Sequence, residues 1–442
     1  MRSLFGTDGI RGRAYEPPLD EDTVRRLGAA VAADLSAIRN APRILLAGDT
    51  RFSTADLAEW IGSSIQAGGG RVVWGGVLPT PAVSQLCREN DFSAGIVISA
   101  SHNPAADNGI KILGPNGEKL ADDLERHLEQ RIETSEPLVG PNLPEVDRAL
   151  GLRYVDLLIA THDKPEPLAG LHVVVDAANG AASGIAQDFL LRLGARVTAI
   201  ASSPDGNNIN DGCGATAPDH LAAQVVAFEA DAGIALDGDA DRVVLVDEKG
   251  AVLDGDDILL VWARHLQAAD RLPGGRVVAT VMSNFGLESA LTDDNLELLR
   301  CPVGDRSVWL AMKEHGAVLG GEQSGHIICS HYGVTGDGLL TGSHLMAIAA
   351  ALGRPVSSLS NLHRLPQILL NVPVSRMRPF DDLPIVSRQL AETNRLLANR
   401  GRVLLRYSGT EALARVMIEG EDAAEIEALA EGLAEVIRRE LG

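Results

Sequence analysis

Short apolar runs alternate with helix-period segments along most of the chain, and the order strand, polar loop, helix recurs. Residues 43–47 form an apolar run that reads as a buried strand, Gly48-Asp49-Thr50-Arg51 follows as a polar loop, and 53–66 carries the three-to-four spacing of a helix. The order returns in 171–175, Asp176-Ala177-Ala178-Asn179-Gly180 and a helix to about Leu193. It returns again in 276–281, Met282-Ser283-Asn284 and a helix to about Leu291. A further helix is predicted over 21–38. Each such unit can bury a sheet under helices, so the recurrence predicts an α/β fold of three similar mixed α/β/α sandwich domains in tandem.

Proline and acidic residues gather over 133–147 and 162–170, and proline and serine over 352–366, which places breaks between the units. Past Pro366 the character changes. A strand over 368–374, a helix over 383–398, strands about 402–406 and 414–419 and an amphipathic helix from Asp422 predict a smaller α+β C-terminal domain. The expected divisions are 1–150, 151–252, 253–365 and 366–442.

At 442 residues the chain exceeds what one core can hold. Apolar residues at 45% and charged residues at 22% describe an ordinary globular protein. The formal net charge of -21 argues against a nucleic-acid or anionic-membrane partner, since both require clustered positive charge. Only five of the 39 basic residues are lysine, which draws notice to Lys111. Cys87, Cys213, Cys301 and Cys329 lie far apart, so neither a zinc site nor a disulfide framework is indicated and a reducing compartment fits. The opening residues lack the apolar core of a signal peptide, and no apolar run approaches the roughly 20 residues of a membrane span. The expected location is the cytoplasm.

Residues 95–98 read as a buried strand that ends in Ser99-Ala100-Ser101 before His102-Asn103-Pro104 breaks the pattern. Asp107-Asn108-Gly109 reads as a second turn that delivers Lys111. Hydroxyl, imidazole and ammonium are thus confined to one loop, whose polarity gives it no reason to be buried. On local grounds, a functional serine and a serine that merely bonds a turn are equal readings.

Between the apolar segments 233–236 and 243–246 stands Asp237-Gly238-Asp239-Ala240-Asp241-Arg242. Carboxylates at alternate positions repel one another unless a cation sits among them, and hard oxygen ligands select magnesium or calcium. An EF-hand is excluded. Glu248 falls twelfth from Asp237, but the sixth position is Arg242 where that loop needs glycine, and the flanks are strands. Magnesium, which keeps few protein ligands and commonly takes a phosphate oxygen, fits better.

Three further strings carry chemistry. Phe5-Gly6-Thr7-Asp8-Gly9-Ile10-Arg11-Gly12-Arg13 reads as a glycine-rich arm with two guanidinium forks. Gly320-Gly321-Glu322-Gln323-Ser324-Gly325-His326, after a strand-like 317–319, offers donors and acceptors suited to sugar hydroxyls. Arg406-Tyr407-Ser408-Gly409-Thr410, with Arg415 beyond, has the make-up of a phosphate cradle.

In the same order along the chain, these five motifs resemble those of the alpha-D-phosphohexomutases. Gln323 is the form typical of the branch that acts on glucosamine phosphates. The resemblance implies four domains around a central cleft, with a terminal module on one linker that turns to close it. It implies reversible conversion of glucosamine 6-phosphate to glucosamine 1-phosphate for amino-sugar nucleotide and cell-wall synthesis, through phosphorylated Ser101 and a sugar 1,6-bisphosphate that also serves as activator. One Mg2+ per chain is implied, held by Asp237, Asp239, Asp241 and a phosphoserine oxygen at Ser101. Arg242, Arg11 and His102 are implied near the transferred group, and Lys111 and His326 are candidates for moving protons. Glu322 and Ser324 are implied to contact sugar hydroxyls, and Arg406, Ser408, Gly409, Thr410 and Arg415 the distal phosphate. The expected partner is a small-molecule sugar phosphate, with a homodimer left open. A phosphomannomutase or phosphoglucomutase with the same machinery is the alternative enzyme, and a sugar-phosphate sensor without turnover the alternative from another class. Gly48, Ala215, Ala217, Tyr407 and Ala412 depart from the commoner pattern of the family.

Overall fold

The computed structural model describes residues 4–6, 8–408 and 412–442. The chain divides into two compact units, Met1–Thr280 with Cys301–Ser360 and Val281–Arg300 with Asn361–Gly442. In the first unit, one sheet has the strand order Phe5–Gly6, Gly9–Arg13, Asp107–Leu113, Ala94–Ile98, Arg43–Gly48, Arg71–Val77. Arg43–Gly48 runs parallel to both neighbours, and the remaining pairs are antiparallel. Its core joins Ile44, Leu46, Ile96 and Ile98 to the apolar faces of helices Glu21–Ile38 and Thr54–Ala67. Asp20 caps the first helix by accepting from the Thr23 amide, and Glu21 and Asp22 complement the dipole of its first turn.

Two expected loops are strands. The N-terminal string is a hairpin whose Gly9–Arg13 arm pairs with Asp107–Leu113, placing Arg11 opposite Gly109. Gly9 has φ +79°, and a Cβ there would sit 2.4 Å from the Ile110 carbonyl oxygen, so glycine admits the hairpin to the sheet. Asp107-Asn108-Gly109 begins a strand where a turn was expected. The buried Asn108 donates to Ser53 Oγ at 2.9 Å and accepts from the Gly109 amide at 2.8 Å, which uses up the bonding capacity that would otherwise close a turn.

The second sheet of this unit has the order Val252–Leu253, Val243–Asp247, Ala232–Leu236, His172–Asp176, Arg196–Ile200. In a third, Arg276–Thr280 runs parallel to Leu319–Gly321, which turns back into Ile327–Cys329. Gly320 and Gly321, expected in the loop, therefore belong to a strand. A Cβ at Gly320 would lie 2.7 Å from Met312 Sδ, so the strand approaches helix Asp305–His315 more closely than a side chain allows. Three sheets bearing helices are the α/β architecture that the recurring pattern implied.

The second unit holds an antiparallel sheet in the order Gln367–Pro373, Leu413–Gly420, Gly401–Tyr407, covered by helices Pro384–Leu397 and Ala423–Leu441. Val416, Ile418, Ile426, Leu433 and Ile437 form its core. Helix Phe285–Asp293 falls in this unit as well.

In the first unit, His162 stacks on His344 of helix Gly338–Leu352 with ring centroids 4.3 Å apart, and His344 packs on Tyr332 at 4.6 Å. Ser343 Oγ lies 3.1 Å from His162 Nε2, and Thr161 Oγ1 2.9 Å from His344 Nε2. Burial pushes His162 down to about 4, against the pull of Asp163. Burial, helped by His162, His265 and Arg271, pushes His344 down to about 3. A base whose folded value is depressed contributes stability that is whole above its ordinary value of 6.5 and is lost as pH falls below it. We expect this cluster to cost about 3 kcal/mol between pH 6.5 and 4, discounted for its partial exposure. Melting temperature against pH would fall less steeply for His344→Gln than for the parent chain; equal slopes would refute the assignment.

Candidate active site

Ser101 is buried and takes a left-handed backbone with φ 52°. A non-glycine residue holds that conformation only where its surroundings enforce it, and Arg51 supplies the enforcement. Its guanidinium donates to the carbonyl oxygens of Ser101 (3.0 Å), Asn103 (2.8 Å), Asp107 (2.9 Å) and Pro104. Its Nε donates to Asp49 Oδ2 at 2.8 Å. Asp49 also accepts from Ser99 Oγ (2.6 Å), and Ser99 Oγ in turn accepts from the Ser101 amide (3.0 Å). Asn210 Nδ2, in the loop that follows strand Arg196–Ile200 of the second sheet, donates to the Ser101 carbonyl oxygen at 2.9 Å. The loop was expected to be exposed on account of its polarity; buried side-chain partners satisfy its polar groups instead.

The Ser101 hydroxyl donates to Asp237 Oδ2 at 2.6 Å and lies 3.3 Å from His102 Nδ1. Oxygen atoms of Asp237, Asp239 and Asp241 all fall within 4.8 Å of one another, and the three residues are buried. Asp237 Oδ1 accepts from the Arg242 amide at 3.1 Å. Asp239 Oδ2 accepts from Thr80 Oγ1 at 2.6 Å and from Lys111 Nζ at 2.8 Å. Lys111 is also 3.0 Å from Asp8 and 3.5 Å from Asp241.

The electrostatics separate these carboxyls. Burial, with Asp241 and Asp239 beside it, holds the Asp237 carboxyl well above its ordinary value. Burial acts on Asp239 in the same direction, but Lys111 and Thr80 outweigh it and bring that group to about 2. Lys111 stays charged because Asp239, Asp8 and Asp241 reverse the effect of its burial. Burial, together with Arg242 and Arg11, pushes the His102 imidazole down. Asp237 is therefore the carboxyl without an adequate cation.

Buried polar atoms are nearly always hydrogen-bonded, so exceptions need a reason. Among the described residues Asp239 Oδ1 and Asp241 Oδ1 lack a hydrogen-bond partner, and so do the donors Arg11 Nε and Arg242 Nε, although Arg242 Nε lies 3.9 Å from Asp241 Oδ1. Unsatisfied carboxylate oxygens beside unsatisfied guanidinium donors fit a cation and an oxyanion bound side by side. The acidic triad can hold a metal ion, and its all-oxygen ligand set suits a hard divalent one.

The sugar-type loop packs directly on the acidic loop. The Val243 amide donates to the Gly325 carbonyl at 3.1 Å, and a Cβ on Gly325 (φ +91°) would lie 2.0 Å from the Val243 carbonyl oxygen. Glu322 Oε1 accepts from the Gly304 amide at 3.0 Å, and Oε2 accepts from Ser324 Oγ at 3.4 Å. Arg242 feels the Glu322 charge after those of Asp241 and Asp237. His326 is buried, its Nε2 accepts from the Gly336 amide at 3.1 Å, and its Nδ1 has no partner.

Arg406, Ser408 and Arg415 belong to the second unit. Arg406 stands directly opposite Arg415 across the strand pair, and Arg415 donates to Ser408 Oγ at 3.4 Å. Like charges directly opposite each other destabilise a sheet. Gly409 and Thr410 lie outside the described residues.

The chain matches the phosphoglucomutase/phosphomannomutase family in four parts: α/β/α domain I over residues 2–138, domain II over 153–250, domain III over 254–365 and the C-terminal domain over 369–436. The chain belongs to this family. Phosphoglucosamine mutase of Moorella thermoacetica is 46% identical over 99% of both chains, and that of Solidesulfovibrio magneticus 45% identical, again over 99% of both. Among solved structures, a phosphoglucomutase/phosphomannomutase family protein from Burkholderia thailandensis shares the fold with TM-score 0.82 and 24% identity over 99% of this chain and 98% of that one. Aspergillus fumigatus N-acetylphosphoglucosamine mutase, solved with GlcNAc-6P and magnesium, does so with TM-score 0.61 and 18% identity over 98% and 95%. The resemblance to phosphohexomutases read from five motifs thus holds for family and fold. Among the described residues no helix is long and apolar enough to cross a membrane.

Sequence reading of this family member missed Arg51, Thr80, Asp8, Lys119 and Asp305. Asp8 stands inside the N-terminal motif without a role of its own there, and Asp49 and Arg51 form a charged pair between a strand and a helix that reads as a polar loop.

Proposed function

We propose that the chain interconverts glucosamine 6-phosphate and glucosamine 1-phosphate through a phosphoserine at Ser101. The observation that carries this reading is the Ser101 hydroxyl, 2.6 Å from Asp237 in a buried pocket whose unsatisfied atoms call for a cation and an oxyanion. A phosphoryl group on Ser101 would present oxygens to Arg11 Nε and Arg242 Nε. Asp237, Asp239 and Asp241 would hold magnesium with one phosphoryl oxygen. The ion, when bound, draws off negative charge that develops as the phosphoryl group moves.

In the forward step a sugar hydroxyl attacks phosphorus, the P–O bond to Ser101 Oγ breaks, and a 1,6-bisphosphate results. Over the step the sugar hydroxyl loses its proton and Ser101 Oγ gains one; Lys111, which is held charged, and His326 are the candidates for moving these protons. Because His326 Nε2 accepts from the Gly336 amide, Nδ1 carries the proton of the neutral ring, and among the described residues it has no hydrogen-bond partner. The bisphosphate turns over in place, and its other phosphoryl group returns to Ser101, so no phosphate is gained or lost. Glu322 and Ser324 would read sugar hydroxyls, and the facing Arg406 and Arg415 would hold the phosphate that is not transferred.

The choice of glucosamine rests on the relatives, which are named phosphoglucosamine mutases at 45–46% identity over nearly the whole chain. Competition among glucosamine, glucose and mannose 6-phosphates tests it. The glucosamine phosphate should show the highest kcat/KM, by about tenfold or more, and intact mass before and after phosphatase should show a phosphoryl group on the purified protein. Equal or better use of mannose or glucose phosphate would return the chain to the broader mutases.

A further inference from the structure

Beside the acidic triad lie three charged residues that the chemistry above does not use. Lys119 bonds Asp8 Oδ1 with one face of its ammonium and Asp305 Oδ2 with another. Asp8 Oδ2 accepts from Arg11 and lies 3.0 Å from Lys111, while Asp305 Oδ2 lies 3.9 Å from His326 Nε2. Read across the site, the order is Lys111, Asp8, Lys119, Asp305, His326, with alternating sign as far as Asp305.

We propose that Asp8, Lys119 and Asp305 are positioning residues, a chain of charge that fixes Lys111 at one end and His326 at the other. This rests on the proton-moving roles proposed above for those two residues.

The residues come from separate parts of the first unit. Asp8 lies in the N-terminal hairpin, Lys119 follows the strand that carries Lys111, and Asp305 opens helix Asp305–His315. Their side chains are 22%, 16% and 14% exposed, so water screens them little. The other carboxylates near Lys111, Asp239 and Asp241, belong to the candidate cation triad. Asp8 is thus the neighbour that can hold the ammonium without competing for an ion. At the far end the Gly336 amide fixes the His326 ring, and Asp305 supplies the negative charge nearest its Nε2.

Stability explains such a chain poorly, because desolvating buried ions costs about as much as their attraction returns. Order explains it better. Without Lys119, Asp305 would lose its bonded cation beside His326, and Asp8 would turn its charge wholly on Arg11 and Lys111.

The test is steady-state kinetics on the full chain, with Lys119→Met, Asp305→Asn, their double variant and Lys119→Arg beside Ser101→Ala. Each of the first two should lower kcat by about 30-fold or more while KM stays within about threefold. The double variant should be no worse than either single one, because both break the same chain. Lys119→Arg, which keeps the bridging charge, should recover most of the loss. Should Lys119→Met not fold, the isosteric Asp305→Asn decides alone by the same split of kcat from KM. Near-normal kcat in Asp305→Asn, or losses that multiply in the double variant, would overturn the inference. Dead Ser101→Ala with normal Asp305→Asn would sink this inference and leave the proposed function standing; active Ser101→Ala would sink both.

Discussion

Ser101→Ala is expected to lower turnover of glucosamine 6-phosphate by roughly 10⁴-fold or more, because the phosphoryl group then has no carrier. The alanine methyl removes the hydrogen bonds of Ser101 Oγ to Asp237 and to His102 Nδ1. Asp237 is held well above its ordinary value by burial and its acidic neighbours, so losing that donor should scarcely disturb the fold. Melting temperature should therefore stay close to the parent value while activity vanishes, and intact mass should no longer show a phosphoryl increment. A sugar-phosphate sensor would behave differently, binding ligand equally well with or without the hydroxyl. Retained mutase activity in this variant would remove the phosphoserine mechanism altogether.

Arg51→Met should give the largest loss of stability among single changes at the site. The guanidinium satisfies four carbonyl oxygens of the serine loop and shares a fully buried ion pair with Asp49. Methionine approximates its volume but leaves Asp49 as an uncompensated buried charge, for which a cost of about 3–5 kcal/mol is expected. Burial already pushes the Asp49 carboxyl up in spite of Arg51, so without the arginine it would take up a proton more readily still. The melting transition of the first unit should move down by several degrees, and Asp49→Asn combined with Arg51→Met should recover part of the loss. A transition unmoved by Arg51→Met would mean that the loop holds its shape without the clamp.

What the sequence disclosed depended on how local the controlling interactions were. The triad at 237, 239 and 241 and the serine after an apolar strand are short strings whose chemistry can be read in place. So is the change of character past Pro366. Lys119 and Asp305, in contrast, are separated by 186 positions and have no meaning until the fold unites them. Asp107-Asn108-Gly109 misled because its turn preference is overridden by Ser53, a residue from a different segment. The departures from the usual family pattern divide similarly. Gly48 has no room for a side chain, since a Cβ would lie 2.5 Å from Thr54 Cγ2 and 2.7 Å from the Ile98 carbonyl oxygen. Tyr407 secures its strand by stacking on Phe380 at 4.3 Å and donating to the Arg378 carbonyl at 2.7 Å. Ala215 and Ala217 stand without a structural explanation.

A Cβ on Gly238 would come within 2.5 Å of the Ser101 carbonyl oxygen, so the nucleophile's loop and the carboxylates' loop abut through bare main chain. Their spacing is consequently independent of rotamers. Side chains elsewhere in the two loops can therefore change without moving Ser101 relative to the acidic triad, so drift in sequence leaves that juxtaposition in place.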